Sequence, residues 1–419
     1  MKVRSWLSTC SSASCIATSG DSSASPSPPL TLSPPPKSLF SDSSSSYSDS
    51  HTNSTNSSSI QSNLSLLTLP SLPSLQKLTL SPLNPSAALL TSLSPNRRGH
   101  VHFLALHNHL LYAASGDQIH VYETLTNTLL DTFSVAGTSG AVKSIAFRSC
   151  RILTAHQDCK IRVWKLTNRK KHKLVATLPT LEDRLRRSIL PQNYVKIRRH
   201  NHRLWIQHHD AISGLAAAGG SYENMIFSIS WDRSIKIWNS ENLHCLQSIN
   251  KAHDDAINAV AVSSDGLVYT GSADRKIKVW RREEKKFTAI ATLEKHKSAV
   301  NALALSGDGS VLFSGSCDRS ILVWEREDSA GHMAVAGALR GHAKAILCLI
   351  NVRDLLMSGS ADRTVRIWQR GFDGRFCCLA VLDGHRSPVR SIAAAECGGG
   401  VRVFSGCFDG EIRVWELGF

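Results

Sequence analysis

The sequence contains no run of about 18 apolar residues, which excludes a transmembrane helix. Lys2 and Arg4 are not followed by a continuous apolar stretch, so a secretory signal is not expected. None of the 11 cysteines forms a Cys-x-x-Cys pair, which argues against a disulfide scaffold or zinc ribbon and suits a reducing compartment. Also missing are Gly-x-Gly-x-x-Gly, a Walker loop, His-Glu-x-x-His and Gly-x-Ser-x-Gly. Hence neither a catalytic residue nor a cofactor or metal is expected. Proline is scarce beyond residue 95: 11 of the 14 prolines, together with 31 serines, fall in residues 1–95.

That imbalance divides the chain. Residues 1–70 have too few packing residues to offset their ordering entropy and read as a disordered Ser/Pro-rich arm. Its Ser-Pro pairs, with those at Ser81 and Ser94, suit proline-directed kinases; plain low-complexity filler is the competing reading. A Ser-rich, acid-poor leader also has the character of a plastid transit peptide, though arginine is sparse in it. Otherwise a cytoplasmic or nuclear location is expected. Residues 71–99 read as a closing strand and linker, and 100–419 as one compact body.

The positive charge is also uneven. The formal net charge is +15, yet residues 165–205 hold twelve Lys or Arg against Glu182 and Asp183, a local balance of +10. An electrostatic partner would be met there.

Trp164, Trp238, Trp280, Trp324, Trp368 and Trp415 mark an internal repeat, with 42, 44, 44 and 47 residues separating the last five. Six residues before each lies an aspartate: Asp158, Asp232, Asp274, Asp318, Asp362 and Asp409. Four residues before each aspartate lies a hydroxyl: Thr154, Ser228, Thr270, Ser314, Ser358 and Ser405. Some 20 to 24 residues before the last five aspartates stands a histidine: His208, His253, His296, His342 and His385. A β-branched residue follows four positions later: Ile212, Ile257, Val300, Ile346 and Val389. Val268–Trp280 reads as strand, tight turn, strand, and each unit holds four short strands.

These residues, with Gly341-His342 and Gly384-His385, resemble the WD40 family. The resemblance implies an all-β, seven-bladed propeller over 100–419. The first blade is worn, with Tyr122 in place of the tryptophan, and the second has Thr138 where the histidine should be. The last blade stops soon after its third strand. Residues about 74–93 (Leu75, Leu78, Leu80, Leu89, Leu90, Leu93) are expected to supply the fourth and close the ring. The family pattern also implies that Ser/Thr, His, Asp and Trp form one structural hydrogen-bonded latch per blade. A nucleophilic triad occurs once; this set occurs five times.

Residues 179–207 form an insertion in the connection between the second and third blades, on the face usually called the top. Thr180 reads as the N-cap of a helix over 180–190 that lays Leu181, Leu185 and Ile189 on the ring, with Pro191 ending it. A hairpin around Arg198-Arg199-His200-Asn201-His202 follows, carrying Arg203. The insertion reads as a solvated basic cover, as a dock for acidic or phosphorylated segments, or as a nucleic-acid surface. The last is disfavoured because Tyr194 and Trp205 are its only aromatics. Arg233, Arg275, Arg319 and Arg363 follow the turn aspartates and would line the same rim. Trp231 and Phe408 are the expected apolar anchors, unless the insertion covers Trp231.

A narrower resemblance, to plant JINGUBANG-type WD40 proteins, rests on Ser71–Gln76, Leu181–Leu190, Pro191–Val195 and Arg203–Ile206. It implies a monomeric, non-enzymatic regulatory scaffold binding other proteins, transcription factors among them, with no membrane association. The alternatives are a substrate receptor of a cullin ubiquitin ligase and an RNA-associated propeller. The first usually carries Trp-Asp-x-Arg, which Trp238-Asn239, Trp324-Glu325 and Trp415-Glu416 do not supply.

Overall fold

The computed structural model describes residues 86–418 apart from 96–98, 136–138, 168–170, 199–200, 220–223, 327–332 and 372. Of Ile197, Arg198 and Asn201 it describes the backbone alone. The expected arm, Leu75, Leu78, Leu80, Thr138 and Arg199 therefore lie outside the described residues.

The protein is a seven-bladed all-β propeller. Thirty strands form seven four-stranded antiparallel sheets and one two-stranded hairpin among the described residues. In six blades the strands follow chain order, here called a to d from the axis outward. The seventh blade takes strands a to c from Val389–Cys397, Gly400–Cys407 and Ile412–Gly418, and its outer strand from Ser86–Leu93. In that pairing Leu89 lies opposite Trp415 and Leu93 opposite Ile412. Each strand a touches strand a of both neighbours, and the seventh touches the first, so the ring closes.

The repeat produces this because each sheet must bury both faces. Strand b of blade five, Val311–Ser316, is buried at every residue. Its apolar side chains fill the space between adjacent blades, where Phe313, Ile346 and Trp368 share one cluster. Glycine in strand b permits close approach. A Cβ on Gly271 would lie 2.6 Å from Val300, and one on Gly406 would lie 2.5 Å from Val101, across the seam between blades seven and one.

Every strand a carries a one-residue bulge at the same place. The register slips between Val101 and Phe103, and again at the matching point of the other six blades. The extra residue in each blade lies where the d–a connection enters, at the top mouth of the channel.

Candidate functional site

The latch residues come together in blades three to six. In blade four, Trp280 Nε1 donates to Thr270 Oγ1 at 2.8 Å, and Thr270 Oγ1 meets His253 Nε2 at 2.8 Å. His253 Nδ1 then meets Asp274 Oδ2 at 2.8 Å. Blades five and six repeat these links, through Trp324, Ser314, His296 and Asp318, then Trp368, Ser358, His342 and Asp362. In blade three Trp238, Ser228 and His208 are linked likewise, and His208 lies 3.3 Å from Asp232. With a neutral imidazole the protons run one way: indole N–H to hydroxyl, hydroxyl to Nε2, and Nδ1–H to carboxylate. Burial works against the Asp274 carboxylate, but the bond and charge of His253 prevail and hold it at about 2. The five hydroxyls are 0% exposed and already engaged, so no substrate reaches them.

Blade seven departs from the expected set. His385 Nε2 meets Ser405 Oγ at 2.6 Å, and Trp415 Nε1 donates to Ser405 at 2.8 Å, but His385 Nδ1 faces Cys407 Sγ at 3.1 Å rather than Asp409. Cys407 stands where other blades place a small serine such as Ser272, and its larger sulfur sits between ring and carboxylate. Atoms of His385, Cys407 and Glu411 lie within 4.8 Å of one another. They suit a cation poorly: burial and Asp409 push the Cys407 thiol up to about 12, and Arg413 already pairs with Glu411 at 3.3 Å.

Blade two supplies its imidazole from an unexpected place. His156 Nε2 meets Thr154 Oγ1 at 2.8 Å, and Trp164 Nε1 donates to the same hydroxyl at 2.9 Å. Asp158, left without a histidine, takes both guanidinium nitrogens of Arg162 at 3.0 and 2.6 Å.

The insertion corrects a second expectation. The helix α1 (Leu181–Ser188) is present, with Thr180 Oγ1 accepting from the Asp183 backbone N–H at 3.2 Å. It lies the other way round. Leu181, Leu185 and Ile189 are 74%, 69% and 78% exposed, whereas Asp183 is buried. Asp183 accepts from the Cys245 backbone N–H at 3.5 Å and pairs with Arg187 at 3.3 Å. Arg187 in turn stacks 4.5 Å from the Trp205 ring. The ring beneath offers the Cys245 backbone donor and the insertion's own Trp205 an aromatic face, and these bind a carboxylate and a guanidinium better than leucines. Periodicity finds an apolar face but not the direction in which it points.

The stripe is flanked by exposed Arg184 on one side and the Glu182–Arg186 pair on the other. Beside it a cleft opens between the insertion and blade two, lined by Lys160, Leu174, Val175, Leu181, Arg184 and Arg203. The hairpin pairs Tyr194–Arg198 with Asn201–Leu204.

On the rim, Arg233, Arg275, Arg319 and Arg363 are exposed and adopt φ of 69°, 74°, 72° and 75°. Trp231 keeps part of its surface and lies 5.8 Å from Lys143 Nζ. Phe408 is half-buried and meets the His100 ring edge-on at 5.8 Å. No helix among the described residues is long and apolar enough to cross a membrane.

Comparison with known families matches residues 201–239, 243–281, 287–325, 334–369 and 376–416 to the WD domain, G-beta repeat. These are blades three to seven; the worn blades one and two are unmatched. No curated protein matches the sequence. Five repeats, their hydrogen-bonded latches and the closed ring together place the chain in the WD40-repeat family.

Proposed function

We infer that this protein acts by binding other proteins, since WD40 propellers generally mediate protein–protein interaction and generally act as non-enzymatic scaffolds. We propose that this protein is a regulatory scaffold of the plant JINGUBANG type, cytoplasmic or nuclear, that docks partner proteins on its top face. The observation that carries this reading is the outward stripe of Leu181, Leu185 and Ile189. An isolated exposed leucine needs no explanation, but three on one helix face, with Val175 and Leu174 beside them, form a patch that gains by being covered. The surrounding Arg184, Lys173, Lys196 and Arg203 favour an acidic amphipathic segment as the occupant. Trp231, Phe408 and the four rim arginines extend the surface towards the axis.

RNA gains less support. The Trp205 face is taken by Arg187, which leaves Tyr194 as the insertion's remaining platform for base stacking.

Affinity purification of the full chain tests the proposal. Wild type is compared with a variant carrying Leu181, Leu185 and Ile189 changed to Ser, and with one carrying Arg198, Arg199 and Arg203 changed to Ala. Loss of the same acidic partners from both is expected. Unchanged partner lists would remove the insertion from the mechanism.

A further inference from the structure

The seven bulge residues differ around the ring. On one arc they are Ser213, Asn258 and Asn301, each donating to a strand-a carbonyl of the next blade, at 2.5, 3.0 and 2.9 Å. That arc is neutral, and its three donors are satisfied within the protein. Blade six supplies the apolar Leu347, and on the other arc consecutive blades seven, one and two supply Arg390, His102 and Lys143.

These three have no carboxylate partner among the described residues. Arg390 spends one nitrogen on the Leu347 carbonyl at 3.3 Å. The charged groups acting on them are each other and His100; the Cys348 thiol is the remaining titratable neighbour. Burial, then the Arg390 charge, pulls Lys143 down to about 8, and burial with the same cations pulls His102 to about 3. Concentrating positive groups in a confined, half-buried mouth is unfavourable unless an anion enters. The aromatic rim continues from the cluster on both sides. Lys143 lies 5.8 Å from Trp231; His102 lies 6.1 Å from His100, which meets Phe408 at 5.8 Å.

We infer that the channel mouth between blades seven, one and two binds the phosphate monoester of a phosphorylated serine or threonine on a partner segment, held by Arg390, Lys143 and His102 and flanked by Trp231 and Phe408. A dianion matches two fixed cations and an imidazole donor, whereas a carboxylate would neutralise one cation and leave the other unpaired. The phosphate site is independent of the insertion. Its source on a partner protein rests on the platform reading above.

The experiment measures binding of the full chain to a degenerate phosphoserine peptide pool, its unphosphorylated twin and inorganic phosphate. The expected result is binding of the phosphorylated pool over the twin, weakened at least about tenfold by Lys143→Met and by Arg390→Lys. The conservative Arg390→Lys keeps a charge, and thermal unfolding checks that both variants fold. Equal binding of the two peptide pools, or binding of the phosphorylated pool that neither variant weakens, would overturn the inference. If inorganic phosphate stabilises wild type but not Lys143→Met while neither pool binds, the anion site stands and its peptide source is overturned.

Discussion

His156 Nε2 lies 2.8 Å from Thr154 Oγ1, two residues away on the same strand, and so provides within strand b the imidazole that blades three to seven bring from the preceding connection. Thr154→Val would orphan both the Trp164 indole N–H and the ring of His156. A loss of about 1–3 kcal/mol in urea-induced unfolding is expected, comparable with Thr270→Val in blade four. A loss confined to the blade four variant would mean that the blade two link carries no weight.

Acid should weaken the ring in two stages. Burial, with nearby cations, lowers His385 to about 4 and His156 to about 3, and burial lowers His208. Unfolded histidines titrate near about 6.5, so below that pH the unfolded state binds more protons. This stability is fully present above pH 6.5 and lost as pH falls towards 4. Asp274, at about 2, contributes stability present above about pH 4 and lost as pH falls through 2. Thermal midpoints that stay flat from pH 7 to 4 would contradict the first stage.

The rim arginines occupy a left-handed conformation in which blade seven uses Gly410, with φ of 88°. Arg275→Gly should therefore raise stability by up to about 1 kcal/mol, and Arg319→Gly likewise. If these arginines serve partners, the same variants bind them less well. A stability loss on substitution would show that the arginines are held by contacts outweighing the backbone strain.

The exposed stripe makes a converse prediction. Changing Leu181, Leu185 and Ile189 to Ser should move unfolding by no more than about 0.5 kcal/mol per site, because none is buried. A large destabilisation would mean that the helix packs its apolar face inward in solution.

For nucleic acid, a salt titration against a mixed RNA pool should show no salt-sensitive binding at physiological ionic strength. A steep salt slope that falls on mutating Arg203 and Lys196 would revive that reading.

Much of the architecture was legible because it is repeated. Asp274 and Trp280 recur in the same relation in every well-kept blade, and only a latch common to all blades imposes that. His156 is not marked by the repeat, because it lies at a position where other blades place serine or cysteine; its two-residue spacing from Thr154 is the signal the sequence carries for it. The helix at 181–188 was legible from Thr180 and Pro191, but its roll was not, since that depends on the Cys245 N–H and Trp205 brought there by folding. The ring of bulge residues is hidden because its seven members share no one chemical type. Each nonetheless directly follows the first strand-a residue, as Arg390 follows Val389 and Ser213 follows Ile212. Counting from that position would have revealed the ring.

The most direct test of the top-face account compares partner occupancy by quantitative affinity purification for three full-length forms: wild type, the Leu181, Leu185 and Ile189 to Ser variant, and a control with Asp354 and Asn351, at the a–b turn of blade six, changed to Ala. The stripe variant is expected to lose its partners while the control keeps them. Partners retained by the stripe variant and lost by the control would contradict it.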